Sequence, residues 1–198
     1  MLHKHVYPVV ENLVNDLARL LQAKGITPNQ LTIGGCVLSF LTGCLYAGGH
    51  IFLAGVLLIA ASIPDMLDGA LARLSGRASK FGAFLDSTLD RYSDFFLFGG
   101  LGIHFAGQGE IRGLIVCLGV LLGTFATSYT KARAENLIDN CRVGFFERSE
   151  RIVTLLIGSL FSPLLGLALW ILLIGTNATA ITRILHTQQA LHTGSSSH

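Results

Sequence analysis

Residues 65–90 read D-M-L-D-G-A-L-A-R-L-S-G-R-A-S-K-F-G-A-F-L-D-S-T-L-D and carry four aspartates between two strongly apolar stretches of the chain. An ionised carboxylate close to a lipid phase costs at least a few kcal/mol, so acids in such a position favour a functional site. Asp65 and Asp68 lie three residues apart, which on a helix puts both on one face. Asp86 and Asp90, four residues apart, form a second such pair. Brought together by the short connection between them, the two pairs would offer a group of oxygen ligands to hard divalent cations.

The composition is typical of a polytopic membrane protein. Only 13% of the 198 residues are charged and the mean hydropathy is +0.59, which excludes an ordinary soluble domain of this length. Because a spanning helix needs about 20 apolar residues, the pattern predicts an all-α fold in a single membrane domain over residues 1–186. The six predicted spans are residues 27–47, 51–74, 80–106, 111–138, 149–161 and 164–185.

Both ends of the chain differ in pattern from the spans. Residues 3–24 repeat apolar positions at helical spacing, which predicts an amphipathic helix lying on the membrane surface. Gly25 would end this helix, and Thr27 followed by Pro28 is a start signal for the first span. Residues 187–198 follow the last span, and we expect them to form a disordered tail.

Lysine and arginine residues are concentrated on one set of the predicted connections. They precede the first span, occupy the connections between spans two and three and between spans four and five, and follow the last span. By the positive-inside rule the N-terminus, the aspartates and the C-terminus face the cytoplasm. We therefore expect a multi-pass protein of the cell (inner) membrane, surrounded by membrane lipids and without a nucleic-acid partner. A kink at Ser162-Pro163 instead of a turn would leave five spans, but an even number keeps the basic C-terminal end cytoplasmic.

The residues around the aspartates indicate a site for a diphosphate ester. Gly69 gives a ligand access to the helix backbone, and Arg73 can bind phosphate through two parallel hydrogen bonds. Two divalent cations held by the carboxylates could stabilise the attacking and leaving oxygens of a displacement at phosphorus, while one carboxylate takes a proton from the attacking hydroxyl. The alternative is that the acids form salt bridges with Arg73, Arg77 and Arg91, which would serve helix docking only.

The whole stretch resembles the signature of the CDP-alcohol phosphotransferases, D-x-x-D-G-x-x-A-R-x8-G-x3-D-x3-D. The defined positions are all matched, by Asp65, Asp68, Gly69, Ala72, Arg73, Gly82, Asp86 and Asp90. The resemblance extends over nearly the whole chain and implies a six-helix membrane enzyme, usually a homodimer, that opens to the cytoplasm. Such an enzyme transfers a phosphatidyl group from CDP-diacylglycerol to an alcohol and releases CMP.

The resemblance also implies roles for individual residues. The metal ions, Mg²⁺ or Mn²⁺ and two in number, would be bound by Asp65, Asp68, Asp86 and Asp90. The last of these, Asp90, would also be the general base. Contacts with CDP-diacylglycerol would come from the start of the first span and from the signature, through Asn29, Gln30, Leu31, Thr32, Gly69, Arg73 and Ser79.

A second cluster of charged residues bears on the acceptor alcohol. Lys131 and Arg133 end the fourth predicted span, Arg148 and Arg151 open the fifth, and Arg183 lies at the end of the last. So much fixed positive charge suits an acceptor that already carries phosphate, whereas a neutral alcohol would not need it. The alternative is an ordinary positive-inside loop that attracts anionic lipid head groups.

Three short motifs in this cluster are similar to those of phosphatidylinositol phosphate synthases, a branch of the same family. They are K-A-R-A-E from residue 131, E-R-S-E-R from residue 147 and R-I-L-H-T from residue 183. The resemblance implies inositol 1-phosphate as the acceptor, with its phosphate held by Lys131, Arg133, Arg151 and Arg183. Archaeal relatives pair this acceptor with a different lipid donor.

Two other functions stay open. Glycerol 3-phosphate is also an anionic acceptor, and its use would give phosphatidylglycerol phosphate; the charge makes serine a less favoured acceptor. A divalent-ion transporter is a more distant alternative, because it would line a pore with the acids and would have no use for Gly69 and Arg73 beside them.

Overall fold

The computed structural model describes residues 14–76, 78–138 and 140–194, and within these ranges the chain is helical with no β-strand. The helices are 14–23 (α1), Pro28–Ala47 (α2), Ile51–Leu74 (α3), Lys80–Gly107 (α4), Ile111–Ala134 (α5), Arg148–Leu160 (α6) and Leu165–Gly194 (α7), with a 3₁₀ turn at Ser162–Leu164. The all-α prediction is confirmed. Helices α2 to α6 begin and end within four residues of the predicted spans.

Four helical stretches in the described ranges are long and apolar enough to cross a membrane. They are Pro28–Ala47, Ile51–Leu74, Ile111–Ala134 and Ser162–His192. Helix α4 carries five charged residues and α6 has only 13 residues. By charge or by length, these two helices are therefore less suited to cross a membrane than the other four. The outer faces of the helices expose many large apolar side chains, which suits the lipid phase around an integral membrane protein.

Helix α1 packs against the end of α3 that carries the signature. Ala18 is fully buried in a small apolar cluster with Ala70 and Leu71. The predicted surface helix is helical over its described part, and residues 3–13 of it lie outside the described residues. The predicted boundary is confirmed, because Gly25 takes a positive φ of 75° after α1 and α2 begins with a capping box at Thr27.

Small residues let the helices of the bundle approach closely. Helix α2 packs against α3 and α4, and α5 packs against α4 and α7. A Cβ atom on Gly100 would overlap the backbone carbonyl of Gly43, and one on Gly123 would overlap the side chain of Thr176. These glycines therefore serve helix contacts within one chain, as small residues do in other membrane bundles.

The polar ends of the helices meet on one side of the bundle. Thr32, near the start of α2, donates a hydrogen bond to Asp68, near the end of α3. At the start of α6, Arg148 pairs with Asp90 of α4. Arg183, late in α7, pairs with the residue that precedes α6. Residues far apart in the sequence are thus brought to one site.

Helix α7 is longer than the apolar stretch at its start. A tail is predicted from residue 187, but the helix continues to Gly194, and residues 195–198 lie outside the described part. No glycine or proline interrupts residues 176–193, and the polar residues of this segment are compatible with a helix. The loss of apolarity at residue 187 is therefore not the end of the helix.

Candidate active site

Three aspartates from two helices form a cluster. One carboxylate oxygen from each of Asp65, Asp68 and Asp86 lies within 4.8 Å of the others. The carboxylate of Asp68 accepts a hydrogen bond of 2.7 Å from the hydroxyl of Thr32. The Oδ1 atom of Asp86 is buried and has no hydrogen-bond partner among the described residues, a state in which buried polar atoms are rarely left. The cluster thus fits a divalent metal ion, for which carboxylate oxygens are suitable ligands.

The fourth aspartate of the signature lies beside this cluster. Asp90 follows Asp86 by one turn of α4, and its Oδ1 atom is 2.7 Å from Nη1 of Arg148. The same guanidinium atom contacts Asp65. Asp90 is predicted to be both a metal ligand and a base; in this structure it is an ion-pair partner and is not one of the three clustered acids.

The salt bridges of these acids differ from those of the alternative interpretation. The arginine that contacts Asp65 and Asp90 is Arg148, which belongs to a distant part of the sequence. Arg73 and Arg91 form no ion pair within the part of the chain that the structure describes, and Arg77 lies outside that part. Among the described residues, the salt bridges of that alternative are therefore not formed by Arg73 or Arg91.

A cavity of about 260 Å³ opens next to the acid cluster. The predicted donor-binding residues that line it are Asn29, Thr32, Gly69, Arg73 and Ser79. Asp68 and Asp86 form part of the same wall. A Cβ atom on Gly69 would be in van der Waals contact with Nη1 of Arg73, at 3.5 Å, so the glycine leaves room beside that guanidinium.

Two of the predicted donor-binding residues serve helix capping and packing instead. The side-chain oxygen of Gln30 accepts a hydrogen bond of 2.9 Å from the backbone of Thr27 and completes the cap of α2. Leu31 packs against the apolar cluster that holds α1 on α3. Successive positions on a helix point in different directions, so the run 29–32 turns only Asn29 and Thr32 towards the cavity.

A second cavity, of about 170 Å³, lies on the other side of Asp90. It brings together three of the four basic residues that the sequence predicts for the acceptor, Lys131, Arg151 and Arg183. Its charged lining comprises five basic and three acidic side chains, namely Arg91, Lys131, Arg148, Arg151, Arg183, Asp90, Asp94 and Glu147. With every group ionised, this lining has a net charge of +2.

The two buried arginines of this cavity are extensively hydrogen-bonded. Arg183 is only 2% exposed and donates to the carbonyls of Val143 and Thr127, at 2.9 and 2.8 Å. Arg151 donates a hydrogen bond of 2.7 Å to the buried carboxylate of Asp94. Both side chains thus join helices together as well as line the cavity.

The fourth predicted acceptor residue lies elsewhere. Arg133 is exposed and is not among the residues that line the cavity. Two positions along a helix correspond to a rotation of about 200°, so Lys131 and Arg133 point in nearly opposite directions. The prediction placed Arg148 in the basic cluster but assigned it no ligand, although its spacing of three from Arg151 puts both on one face. Glu147 was not predicted as a site residue.

A sequence model of the CDP-alcohol phosphatidyltransferases matches residues 25–186, which include both cavities and the acid cluster. The chain belongs to this family. As a CDP-alcohol phosphatidyltransferase it is a phosphotransferase enzyme. An archaetidylinositol phosphate synthase of Pyrococcus horikoshii is 36% identical over 190 residues, which cover 96% of this chain and 98% of that protein.

Two solved structures of another CDP-alcohol phosphatidyltransferase are also similar. Both are of the phosphatidylinositol phosphate synthase of Mycobacterium tuberculosis, which is 35% identical to this chain. The structure with CDP-DAG bound has a TM-score of 0.81 and covers 89% of this chain and 93% of that chain. The structure in complex with manganese and citrate has a TM-score of 0.80 and covers 88% of each.

Proposed function

We propose that this enzyme transfers a phosphatidyl group from CDP-diacylglycerol to inositol 1-phosphate, giving phosphatidylinositol phosphate and CMP. The observation that carries the proposal is the position of Asp90. This carboxylate lines the space around the acid cluster and also the basic cavity. An acceptor whose phosphate is bound in that cavity could therefore bring a hydroxyl to Asp90 and to a diphosphate beside the acids.

The proposal assigns the metal site to Asp65, Asp68 and Asp86, whose oxygens fit a divalent cation. The ions would be Mg²⁺ or Mn²⁺, and two are expected from the signature. When bound, they would supply positive charge that stabilises the diphosphate and the leaving CMP. The manganese reported with the similar mycobacterial enzyme supports this choice of metal.

The protein groups would act at both ends of the transferred phosphorus. Asp90 takes the proton of the acceptor hydroxyl as its oxygen bonds to the phosphorus that carries diacylglycerol. The bond from that phosphorus to the oxygen of CMP breaks in the same displacement. Asn29, Arg73 and Ser79, which line the cavity next to the acids, hold the CDP moiety so that the leaving oxygen points away from Asp90.

The acceptor phosphate would be bound by Lys131, Arg151 and Arg183. The net positive lining of their cavity favours an anionic acceptor over free inositol or serine. Glycerol 3-phosphate carries the same phosphate group, so charge alone does not discriminate it from inositol 1-phosphate. The choice of inositol is supported by the names of the similar proteins, which are archaetidylinositol phosphate synthases and phosphatidylinositol phosphate synthases.

The proposal includes the arrangement in the membrane. Helices α2 to α7 would be six spans, α1 would lie on the surface, and the polar side of the bundle would face the cytoplasm of the cell (inner) membrane. This orientation is supported by the basic residues near that side, such as Lys80, Lys131 and Arg183. The enzyme would be a homodimer, as the resemblance to the family implies.

A direct assay tests the function. The purified chain in detergent is given CDP-diacylglycerol, Mg²⁺ or Mn²⁺, and one labelled acceptor at a time: inositol 1-phosphate, glycerol 3-phosphate, inositol or serine. We expect metal-dependent release of CMP with inositol 1-phosphate and little with the others. CMP release with glycerol 3-phosphate alone would contradict inositol 1-phosphate as the acceptor. If no acceptor gives CMP release, with CDP-diacylglycerol or with an archaeal-type lipid donor, the proposed transfer reaction is contradicted.

A further inference from the structure

Glu147 and Arg148, two consecutive residues at the start of α6, reach into opposite sites. Arg148 contacts Asp65 and Asp90. Glu147 contacts two of the proposed acceptor-binding residues, with its Oε1 atom 3.1 Å from Nη2 of Arg183 and 3.7 Å from Nζ of Lys131. A cation of the protein is thus bound where the site needs a metal, and an anion is bound where it needs a phosphate.

The space around the acids shows that Arg148 and a metal compete for room. With Arg148 in its wall, the cavity among the four aspartates has a volume of only about 10 Å³. This is close to the lower limit for one bound water. A divalent ion that brings water or phosphate ligands to this side of the cluster needs more space than that, so there it would compete with Arg148 for Asp65.

The basic cavity offers a second position for the side chain of Arg148. It lines the basic cavity as well as the acid cavity, and its Nε atom is buried without a hydrogen-bond partner among the described residues. A side-chain rotation would therefore carry its charge from the aspartates towards the acceptor phosphate. The N–H group of Phe146, two residues before Arg148, donates a hydrogen bond of 3.1 Å to Thr179 and joins the chain before α6 to α7.

We propose that Glu147 and Arg148 are internal substitutes for the two ligands of the enzyme: Arg148 holds the carboxylates until a metal displaces it, and Glu147 holds Lys131 and Arg183 until the acceptor phosphate displaces it. This inference rests on the proposed function. These contacts pair unlike charges within the protein, and they make each ligand compete with a side chain before it binds. Metal binding would also favour the acceptor, since it releases Arg148 into the basic cavity.

The first test measures metal binding without turnover. Mn²⁺ is titrated into the purified full-length protein, and free Mn²⁺ is followed by electron paramagnetic resonance. Removing the competing cation in Arg148→Gln should lower the Mn²⁺ dissociation constant about tenfold, within the usual range of coupling between ligands. Arg142→Gln removes an exposed charge from the connection just before α6 and should leave the constant unchanged.

The second test measures acceptor binding by calorimetry, with inositol 1-phosphate as the probe. Glu147→Gln should bind it about threefold more tightly than wild type, a modest gain because Glu147 is half exposed. Glu150→Gln, one turn further on, is the matched control. In wild type, Mn²⁺ should tighten inositol 1-phosphate binding, and Arg148→Gln should reduce this effect.

The outcomes separate the inference from the function. Unchanged or weaker Mn²⁺ binding in Arg148→Gln would contradict the proposed roles of the two side chains, even if the wild-type enzyme releases CMP normally. Weaker acceptor binding in Glu147→Gln would contradict them as well. Should Arg148→Gln fail to fold, Arg148→Lys replaces it, because lysine keeps the charge but makes fewer directed bonds to two carboxylates. We expect Arg148→Lys to bind Mn²⁺ about threefold more tightly, and no change in that variant would also contradict the proposal.

Discussion

The acid cluster and the basic cavity are neighbours with opposite construction. The acids come from one short stretch of sequence, residues 65–90, and they are only partly satisfied: Asp86 keeps a buried oxygen without a partner in the described structure. The basic residues of the cavity come from four separate helices, α4 to α7, and the buried ones are hydrogen-bonded to other parts of the protein. Arg151 is paired with Asp94, and Arg183 is bonded to two carbonyls.

This difference distinguishes residues that bind ligands from residues that stabilise the fold. A buried carboxylate oxygen without a partner in the protein is unfavourable for stability, and a ligand that binds it removes this cost. An arginine whose donors are already bonded stabilises the fold and has fewer donors left for a ligand. We therefore expect changes at the acids to affect chemistry more than stability, and changes at the buried arginines to affect stability as much as acceptor binding.

The largest effect is expected from Asp90→Asn. Loss of the proposed base should lower kcat by about 10³-fold, within the range for general base catalysis, while CDP-diacylglycerol still binds. Since Asp90 lies outside the three-acid cluster, Mn²⁺ binding should change much less than in Asp86→Asn. Turnover and Mn²⁺ titration are measured on both variants.

Two results would weaken this assignment. Near-normal turnover in Asp90→Asn would remove its role as base. Equal loss of Mn²⁺ affinity in Asp90→Asn and Asp86→Asn would make Asp90 a metal ligand in the working enzyme, as the signature predicts.

The second effect concerns the scaffold. Arg151→Gln leaves the carboxylate of Asp94 buried and unpaired, which should lower the free energy of unfolding by about 3 kcal/mol. The double variant Asp94→Asn/Arg151→Gln removes both charges and should recover most of this loss. Thermal unfolding in detergent measures the stability of each.

The double variant also separates the two roles of Arg151. If the arginine binds acceptor phosphate, restored stability will not restore the KM for inositol 1-phosphate. A normal KM in the stable double variant would make Arg151 a scaffold residue only, and the acceptor site would then rest on Lys131 and Arg183.

The sequence predicts the acid side of the site well for a physical reason. Helical spacing puts Asp65 and Asp68 on one face of α3, and the short connection to α4 together with the packing of both helices on α2 brings Asp86 to them. The helix bounds follow from the apolar runs and from start signals such as Thr27-Pro28. What spacing does not give is the partner of Asp90, because Arg148 is 58 positions away in the sequence and no local pattern connects the two.

The basic side is predicted less well. Counting charges near helix ends finds Lys131, Arg151 and Arg183, but it also selects Arg133, which faces away. The same weakness affects the run 29–32, where Gln30 and Leu31 are used for capping and packing. A resemblance assigns a motif as a block, whereas a helix turns each of its residues in a different direction.

A smaller effect is expected from the support of the acid cluster. Thr32→Val removes the hydroxyl that hydrogen-bonds Asp68 at nearly constant volume, and loss of such outer contacts typically weakens metal binding by about tenfold or more. Mn²⁺ titration measures the change. Thr42→Val is the matched control on the same helix, because its hydroxyl bonds only the carbonyl of Leu38; an equal effect in both variants would show that the loss is not specific to the acids.

The smallest effect is expected from Arg133→Ala, and it tests whether the charge or its direction selects the acceptor. If a diffuse positive surface attracts the acceptor, Arg133→Ala and Lys131→Ala should raise the KM for inositol 1-phosphate equally, and both increases should fade at high salt. If the cavity binds the phosphate, Lys131→Ala should raise the KM for inositol 1-phosphate several-fold. Arg133→Ala should raise this KM by less than about twofold, as is usual for an exposed charge. The KM for CDP-diacylglycerol, measured in parallel, should change in neither variant. Equal effects on the acceptor KM would indicate that Arg133 also attracts the acceptor, and that a basic surface and not the cavity selects it.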